Sequence, residues 1–174
     1  MRFLLVSLLV GCAVLGSDSH GEDGIDTGDS SCSGDWSEIP SDFAEDLGPD
    51  GCQYRVAGMG DGLRLVFDAP VFGAALTDGA ATATYTLPDD QARLTVEQGC
   101  DLDAGWCGAD GSASVFTTYT ATGGTVTASA GEDFNGDVLA TITFEGVTFE
   151  NDDGTVLAMD PLTWTDVLLY GIED

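Results

Sequence analysis

The side chains that could carry chemistry in this chain are almost all carboxylates. Of its 174 residues, 31 are Asp or Glu and one is a histidine, His20. Because His20 lies in a polar stretch near the N-terminus, a Ser-His-Asp or Cys-His arrangement inside a folded domain is excluded, as is catalytic zinc held by histidines. The chain has no lysine to form a Schiff base. Paired carboxylates, as in glycoside hydrolases, remain possible. Because a chain with 31 acidic residues contains such pairs by chance, we assign no catalytic residue.

Two groups of acidic residues could instead bind calcium, a cation that prefers oxygen ligands. The segment Asp133-Phe-Asn135-Gly-Asp137 resembles the start of an EF-hand loop, in which alternate residues supply converging oxygens. That pattern continues with a Gly and later a Glu, where this chain has Val138 and Phe144, so a turn between two strands explains these residues equally well. The second group surrounds a pair of cysteines and consists of Asp101, Asp103 and Asp110.

Trp106 lies between these acidic residues in the segment DLDAGWC. An indole on an exposed loop could stack on a sugar ring or anchor a protein interface. Alternatively, the indole folds back over a disulfide, and we favour this second interpretation. Trp36 and Trp164 are predicted to pack in the core or at its edge.

The charge of the chain restricts its partners. The formal net charge is −27, with four arginines as the only strong bases. Such a surface repels phosphate backbones, so nucleic acid is not expected as a partner, and contact with anionic membranes requires a covalent lipid. The acidity also has a simpler explanation, because acidic surfaces keep proteins soluble and suit a salty habitat.

The N-terminus predicts export. Met1 and Arg2 precede the apolar stretch FLLVSLLV, which is too short to span a bilayer as a helix and is typical of a signal peptide. The following residues, Leu9-Val10-Gly11-Cys12, resemble the lipobox of bacterial lipoproteins. The resemblance implies cleavage before Cys12, a lipid on its thiol and, because Ala13 rather than Asp follows, sorting to the outer membrane. The alternative is an ordinary secretory signal that is cut after Gly16.

The remaining cysteines predict a disulfide-stabilised domain. Setting Cys12 aside leaves four, enough for two disulfides in an oxidising compartment. Three pairings are possible, and we favour the nearest neighbours, Cys32 with Cys52 and Cys100 with Cys107. A four-cysteine zinc site is not favoured, because the short Cys-x-x-Cys spacing is absent.

Composition divides the chain into three parts. Residues 1–11 form the signal peptide, and residues 12–31 carry the lipidated cysteine and a spacer of Ser, Asp and Gly that is too polar to fold. Residues 32–174 form one domain, long enough to bury a core.

Alternating apolar residues predict that this domain is all-β. Residues 138–144 place Val138, Ala140, Ile142 and Phe144 on one face, and after Gly146 the alternation shifts by one residue, which predicts a bulge there. Turns are predicted at Gly60-Asp61-Gly62, Gly123-Gly124, Asn135-Gly136 and Asp153-Gly154. The other predicted strands cover residues 54–57, 63–67, 82–87, 92–97, 114–120, 125–130, 155–158 and 162–170.

This pattern indicates an antiparallel β-sandwich or barrel, with at most one short helix at Ser41–Leu47 near the N-terminus of the domain. The leading functional hypothesis is a non-catalytic lipoprotein of the cell envelope that displays the β-domain to an unknown protein or glycan ligand. The alternatives are a secreted module that binds calcium or glycan, and a carboxylate-based hydrolase. No cofactor other than calcium is implied.

Overall fold

The computed structural model describes residues 39–52, 55–60, 62–69, 82–109, 111–134 and 137–169. In these ranges no helix is long and apolar enough to cross a membrane. Several predictions fall outside them: the signal peptide, Cys12, the spacer, Cys32, Trp36, Asp110 and the Asn135-Gly136 turn.

The predicted all-β class is confirmed, since the described residues form nine strands that all pair antiparallel. The strands are β1 (Gly48–Cys52), β2 (Arg55–Gly60), β3 (Leu63–Asp68), β4 (Thr82–Thr86), β5 (Arg93–Cys100), β6 (Ser114–Phe134), β7 (Asp137–Glu150), β8 (Val156–Ala158) and β9 (Leu162–Leu169).

One long hairpin, β6–β7, organises the sheet into two layers. Its first half, at residues 114–123 of β6 and 148–150 of β7, extends the order β1-β2-β3-β5 and ends at β8. Its second half, at residues 125–134 and 137–145, is flanked by β4 and β9. At the far end of the sheet, β1 packs closely against β9. The approach is so close that a Cβ added to Gly51 would lie 2.3 Å from the Leu168 carbonyl oxygen. The sheet therefore folds over on itself and has a barrel-like outline.

The hairpin bends at the bulge that the alternation of apolar residues predicts. Gly123 pairs with Thr148 and Thr125 with Glu145, so one residue of β6 faces two residues of β7. Gly146 adopts a positive φ of 59°, a conformation that glycine reaches without steric cost. The extra residue moves Val147 and Phe149 onto the buried face, where each is at most 1% exposed.

The core lies between the two layers. Phe67 of β3 contacts Tyr85 of β4 and Phe144 of β7 edge to face, with ring centroids 5.7 Å and 6.4 Å apart. Trp164 packs on Phe144 at 5.1 Å, so it lies in the core as predicted. Fully burying an aromatic side chain of this kind contributes about 1.5–3 kcal/mol relative to leaving it exposed.

Two local predictions need correction, and one strand has no counterpart among the predicted ones. Gly123-Gly124 is not a turn between two strands, because β6 continues through it and bends there. Strand β1 was not predicted, since GPDGC is rich in poor β-formers; it forms by pairing with β2 and packing against β9. The predicted helix is only a 3-10 turn, Phe43–Asp46, that buries Phe43.

Candidate functional site

A loop between β5 and β6 covers the outer face of the first layer. Residues 101–109 contain the 3-10 helix Trp106–Gly108, and a disulfide ties Cys107 to Cys52 at the end of β1. Under the loop lies a small apolar cluster, separate from the main core, of Ala57, Val66, Trp106, Cys52, Met59 and Cys107. The loop therefore has its own packing contacts with β1, β2 and β3.

The observed disulfide contradicts the favoured pairing of nearest neighbours. Cys107 bonds to Cys52, 55 residues away, instead of to Cys100. Cys100 also forms a disulfide, and Cys107 is not its partner. Nearest-neighbour pairing fails because strand pairing brings the end of β1 beside β2 and β3, over which the loop then folds. The number of residues between two cysteines does not show how far apart they lie in the folded sheet.

Trp106 lies on the disulfide and not on the surface. Its side chain is 6% exposed and packs with Ala57 and Val66. The Arg55 guanidinium lies 5.0 Å from the centre of the indole ring, a cation–π geometry. This packing agrees with the interpretation that the indole folds back, and it leaves no open indole face for a sugar. No described residue accepts a hydrogen bond from its buried Nε1.

Arg64 is hydrogen-bonded to the beginning of the loop, at Leu102. Its guanidinium donates to Glu97 Oε2, at 2.8 Å from Nε and 2.5 Å from Nη2, and Nη1 donates to the Leu102 carbonyl oxygen. The Arg64 and Glu97 side chains are 12% and 20% exposed, so solvent screens this pair less than it screens a surface pair.

The three arginines of the described ranges share this outer face. Strand register places Arg55 opposite Asp68, Asp68 opposite Arg93, and Arg64 opposite Glu97. Arg55 Nε lies 3.4 Å from Asp68 Oδ2, while no described residue is hydrogen-bonded to the buried Asp68 Oδ1. We call this surface, residues 55–59, 64–68 and 93–97 with the loop 101–109, the arginine face.

An open cleft of about 710 Å³ lies at one edge of the arginine face, where the β4–β5 connection meets β6. Its apolar wall includes Leu87, Leu94 and Ala121. Its polar lining includes three carboxylates and one guanidinium: Asp68, Asp89, Asp90 and Arg93. Nothing in the local spacing of these residues marks them as a site in the sequence, since they come from the ends of β3 and β5 and the connection between β4 and β5.

Tyr85 lies in the core beside the β4–β5 connection. Its side chain is 5% exposed, and no described residue is hydrogen-bonded to its hydroxyl. Burial raises the pKa of the Tyr85 hydroxyl, and the nearby Asp89 carboxylate raises it further. Both effects disfavour the tyrosinate anion, so Tyr85 stays neutral over the physiological range.

The predicted calcium ligands are only partly within the described structure. Asp101 and Asp103 are exposed on the loop over the arginine face, and Asp110 lies outside the described residues. Asp133 and Asp137 flank the tip of the β6–β7 hairpin, as the turn interpretation predicts. Their side chains and the whole of Asn135 lie outside the part of the chain that the structure describes. Among the described residues, no group of three or more His, Cys, Asp or Glu side chains could hold a metal ion.

In the comparisons with known proteins, no family model, no curated protein and no solved structure matched this chain.

Proposed function

We propose that this protein is a non-catalytic lipoprotein of the cell envelope, anchored through Cys12 and displaying its disulfide-stabilised β-domain for binding. The observation that supports it best is the cysteine chemistry. Cys52–Cys107 is a disulfide and Cys100 is disulfide-bonded too. Disulfides of this kind form and persist in oxidising compartments, which a chain reaches by export, and the LVGC segment supplies a signal for export with lipidation.

The net charge agrees with such a role. A chain with a net charge of −27 is repelled by anionic lipid headgroups, so a covalent lipid is the means by which it would stay at a membrane. The polar spacer of residues 12–31 would then hold the domain clear of the bilayer.

Intact mass of the full-length gene product, expressed in a bacterial host, tests the proposal. Cleavage before Cys12 with an added diacylglyceryl group is the expected result, with a gain of about four hydrogens on reduction if two disulfides are present. An unlipidated chain beginning near Ser17 would contradict the anchor and favour a secreted module. Peptide mapping of the same sample identifies the partner of Cys100, which must be Cys32 when Cys12 carries lipid.

A second candidate function, hydrolysis by paired carboxylates, is favoured by one observation. Asp68, Asp89 and Asp90 line the same cleft, and a general acid paired with a base or nucleophile requires two carboxylates in a concave site. Incubation with chromogenic glycosides tests it: turnover that Asp89→Asn abolishes would establish the hydrolase, and absence of turnover on a broad panel would oppose it.

A further inference from the structure

The cleft beside the arginine face arises where β6 changes partners. Along one edge, β6 pairs with β5 as far as Thr120 and with β4 from Thr125 onward, while β7 occupies its other edge. The β4–β5 connection crosses the gap between these two pairings, and the Leu87 amide donates to the Gly124 carbonyl oxygen at 2.9 Å. The cleft is therefore bounded by paired strands and by a connection that is hydrogen-bonded to the sheet.

The cleft has the size and the apolar wall of a small-molecule site. Its volume of about 710 Å³ lies within the range of roughly 300–1,000 Å³ that is typical of ligand pockets. Leu87, Leu94 and Ala121 line the cleft and also belong to the main core, so core packing holds this wall in place. A ligand with an apolar group can remove that group from water by lying against the wall.

Asp89, which lines the cleft, is a half-buried carboxylate without a counter-ion. Among the acidic side chains that the structure describes, only two others are not fully exposed, Asp68 and Glu97. Asp68 lies 3.4 Å from Arg55 Nε, and Glu97 is paired with Arg64, whereas no described arginine forms an ion pair with Asp89. A carboxylate that has lost part of its hydration and has no counter-ion favours the binding of a cation.

The Asp89 carboxylate is also restrained in its position. The Gln91 backbone N–H donates to Asp89 Oδ1 at 2.7 Å, which closes a turn between the side chain and the backbone two residues further on. No described residue is hydrogen-bonded to Asp89 Oδ2. This second oxygen can therefore accept a hydrogen bond from a charged donor, which is stronger than a bond between neutral groups.

The charge of the cleft favours a ligand with one positive charge. Because Asp68 is paired with Arg55, the remaining charged groups of the lining are two carboxylates and one guanidinium, Asp89, Asp90 and Arg93. The net charge of −27 on the whole chain adds a potential that attracts cations and repels anions. None of the described lining residues is aromatic, so a quaternary ammonium finds no aromatic cage here. A primary ammonium, with three N–H donors, suits carboxylate acceptors better.

We propose that this cleft binds an organic primary ammonium ion that carries an apolar group. The ammonium donates to Asp89, and the apolar group lies against Leu87, Leu94 and Ala121. The proposal rests on the proposed role in binding, for which it names a ligand class, and it requires no turnover. Mass spectrometry tests the anchor at Cys12 and calorimetry tests this ligand, so either result can fail without the other.

Isothermal titration calorimetry of the mature chain at physiological ionic strength tests the proposal. The probes are 2-phenylethylammonium and 3-methylbutylammonium, with methylammonium as the cation that lacks an apolar group and 2-phenylethanol as the neutral analogue. We expect at least one of the two larger amines to bind saturably, at least about tenfold more tightly than methylammonium or 2-phenylethanol. The proposal is wrong if neither larger amine binds at millimolar concentration, or if methylammonium binds equally well, which would show that the acidic surface merely collects cations. Tighter binding of zwitterionic phenylalanine would also overturn it, because Arg93 would then hold a ligand carboxylate.

Matched variants locate the amine in the cleft. Asp89→Asn removes the charge but keeps a side-chain oxygen that can accept from the Gln91 N–H, and we expect the affinity for the amine to fall at least about tenfold. Asp103→Asn removes one exposed carboxylate that does not line the cleft, and it should change the affinity less than about twofold. Arg93→Met removes the positive charge of the lining and should tighten binding. Equal losses in Asp89→Asn and Asp103→Asn, with both variants folded by circular dichroism, would remove the cleft as the site.

Discussion

Cys52 and Cys107 are joined by a disulfide that closes 55 residues of sequence and ties the loop over the arginine face to the end of β1. Their Cα atoms are 5.6 Å apart, within the usual range for a disulfide. The bond therefore connects two elements that share no strand ladder, and it holds Trp106 over Ala57 and Val66.

Replacing this disulfide should lower the stability of the domain substantially. For a closed loop of this length, the chain-entropy estimate gives about 4 kcal/mol. We expect Cys52→Ser, Cys107→Ser to reduce the free energy of unfolding in urea by roughly that amount, with an increase in Trp106 solvent exposure. The control is the unmodified chain in the same non-reducing buffer. A loss below about 1 kcal/mol would show that packing alone holds the loop.

Gly58 lies directly beneath the Trp164 indole. A Cβ on Gly58 would be 2.4 Å from Trp164 Cζ2, which is closer than any real contact between these atoms. We expect Gly58→Ala to destabilise the domain by about 1–3 kcal/mol in thermal or urea unfolding, because the rigid indole must shift inside a packed core. Gly48→Ala is the matched control, since its Cβ would meet only the Met59 carbonyl oxygen at 4.0 Å. Equal effects of the two substitutions would contradict this packing.

Arg64 and Arg93 should differ in their contribution to stability, although both lie on the arginine face. Arg64 donates three hydrogen bonds, to Glu97 and to the Leu102 carbonyl oxygen. Arg93 is exposed. We expect Arg64→Met to cost about 1–3 kcal/mol and Arg93→Met less than about 0.5 kcal/mol in urea unfolding. Hydrogen exchange should also show faster opening of residues 101–109 in the Arg64 variant. Unchanged exchange there would argue that Arg64 does not hold this loop against the sheet.

Tyr85 should make the domain lose stability at high pH. The pKa of its hydroxyl in the folded state is above the ordinary value of 10.0, because of burial first and the Asp89 carboxylate second. Above about pH 10 the unfolded chain loses this proton while the folded chain keeps it, so the unfolded state is favoured and stability falls as pH rises.

The comparison with Tyr85→Phe isolates this effect. The difference in unfolding free energy between the two proteins, measured in urea from pH 8 to 12, should be constant below about pH 10 and then change in favour of the phenylalanine variant. A difference that does not vary with pH would contradict the raised pKa. Below pH 10 the variant should be equally or more stable, since it removes a buried hydroxyl that has no described hydrogen-bond partner.

The sequence by itself determined the fold class, most strand positions and the bulge at Gly146. These features depend on local alternation, because the side chains of a strand point to opposite faces with a period of two residues. Val138, Ala140, Ile142 and Phe144 follow that period, and the shift at Val147 and Phe149 requires one extra residue. The residue type of Trp164 predicted packing in the core or at its edge, and the structure places it in the core.

Only the tertiary structure decided which distant residues meet. Pairing of Cys52 with Cys107 and the cleft lined by Asp68, Asp89 and Arg93 depend on strand order and register. Register is set by the packing of all strands around one core, and no short segment contains it. Strand β1 shows the same effect, since its residues form a strand only because β2 and β9 supply the partners.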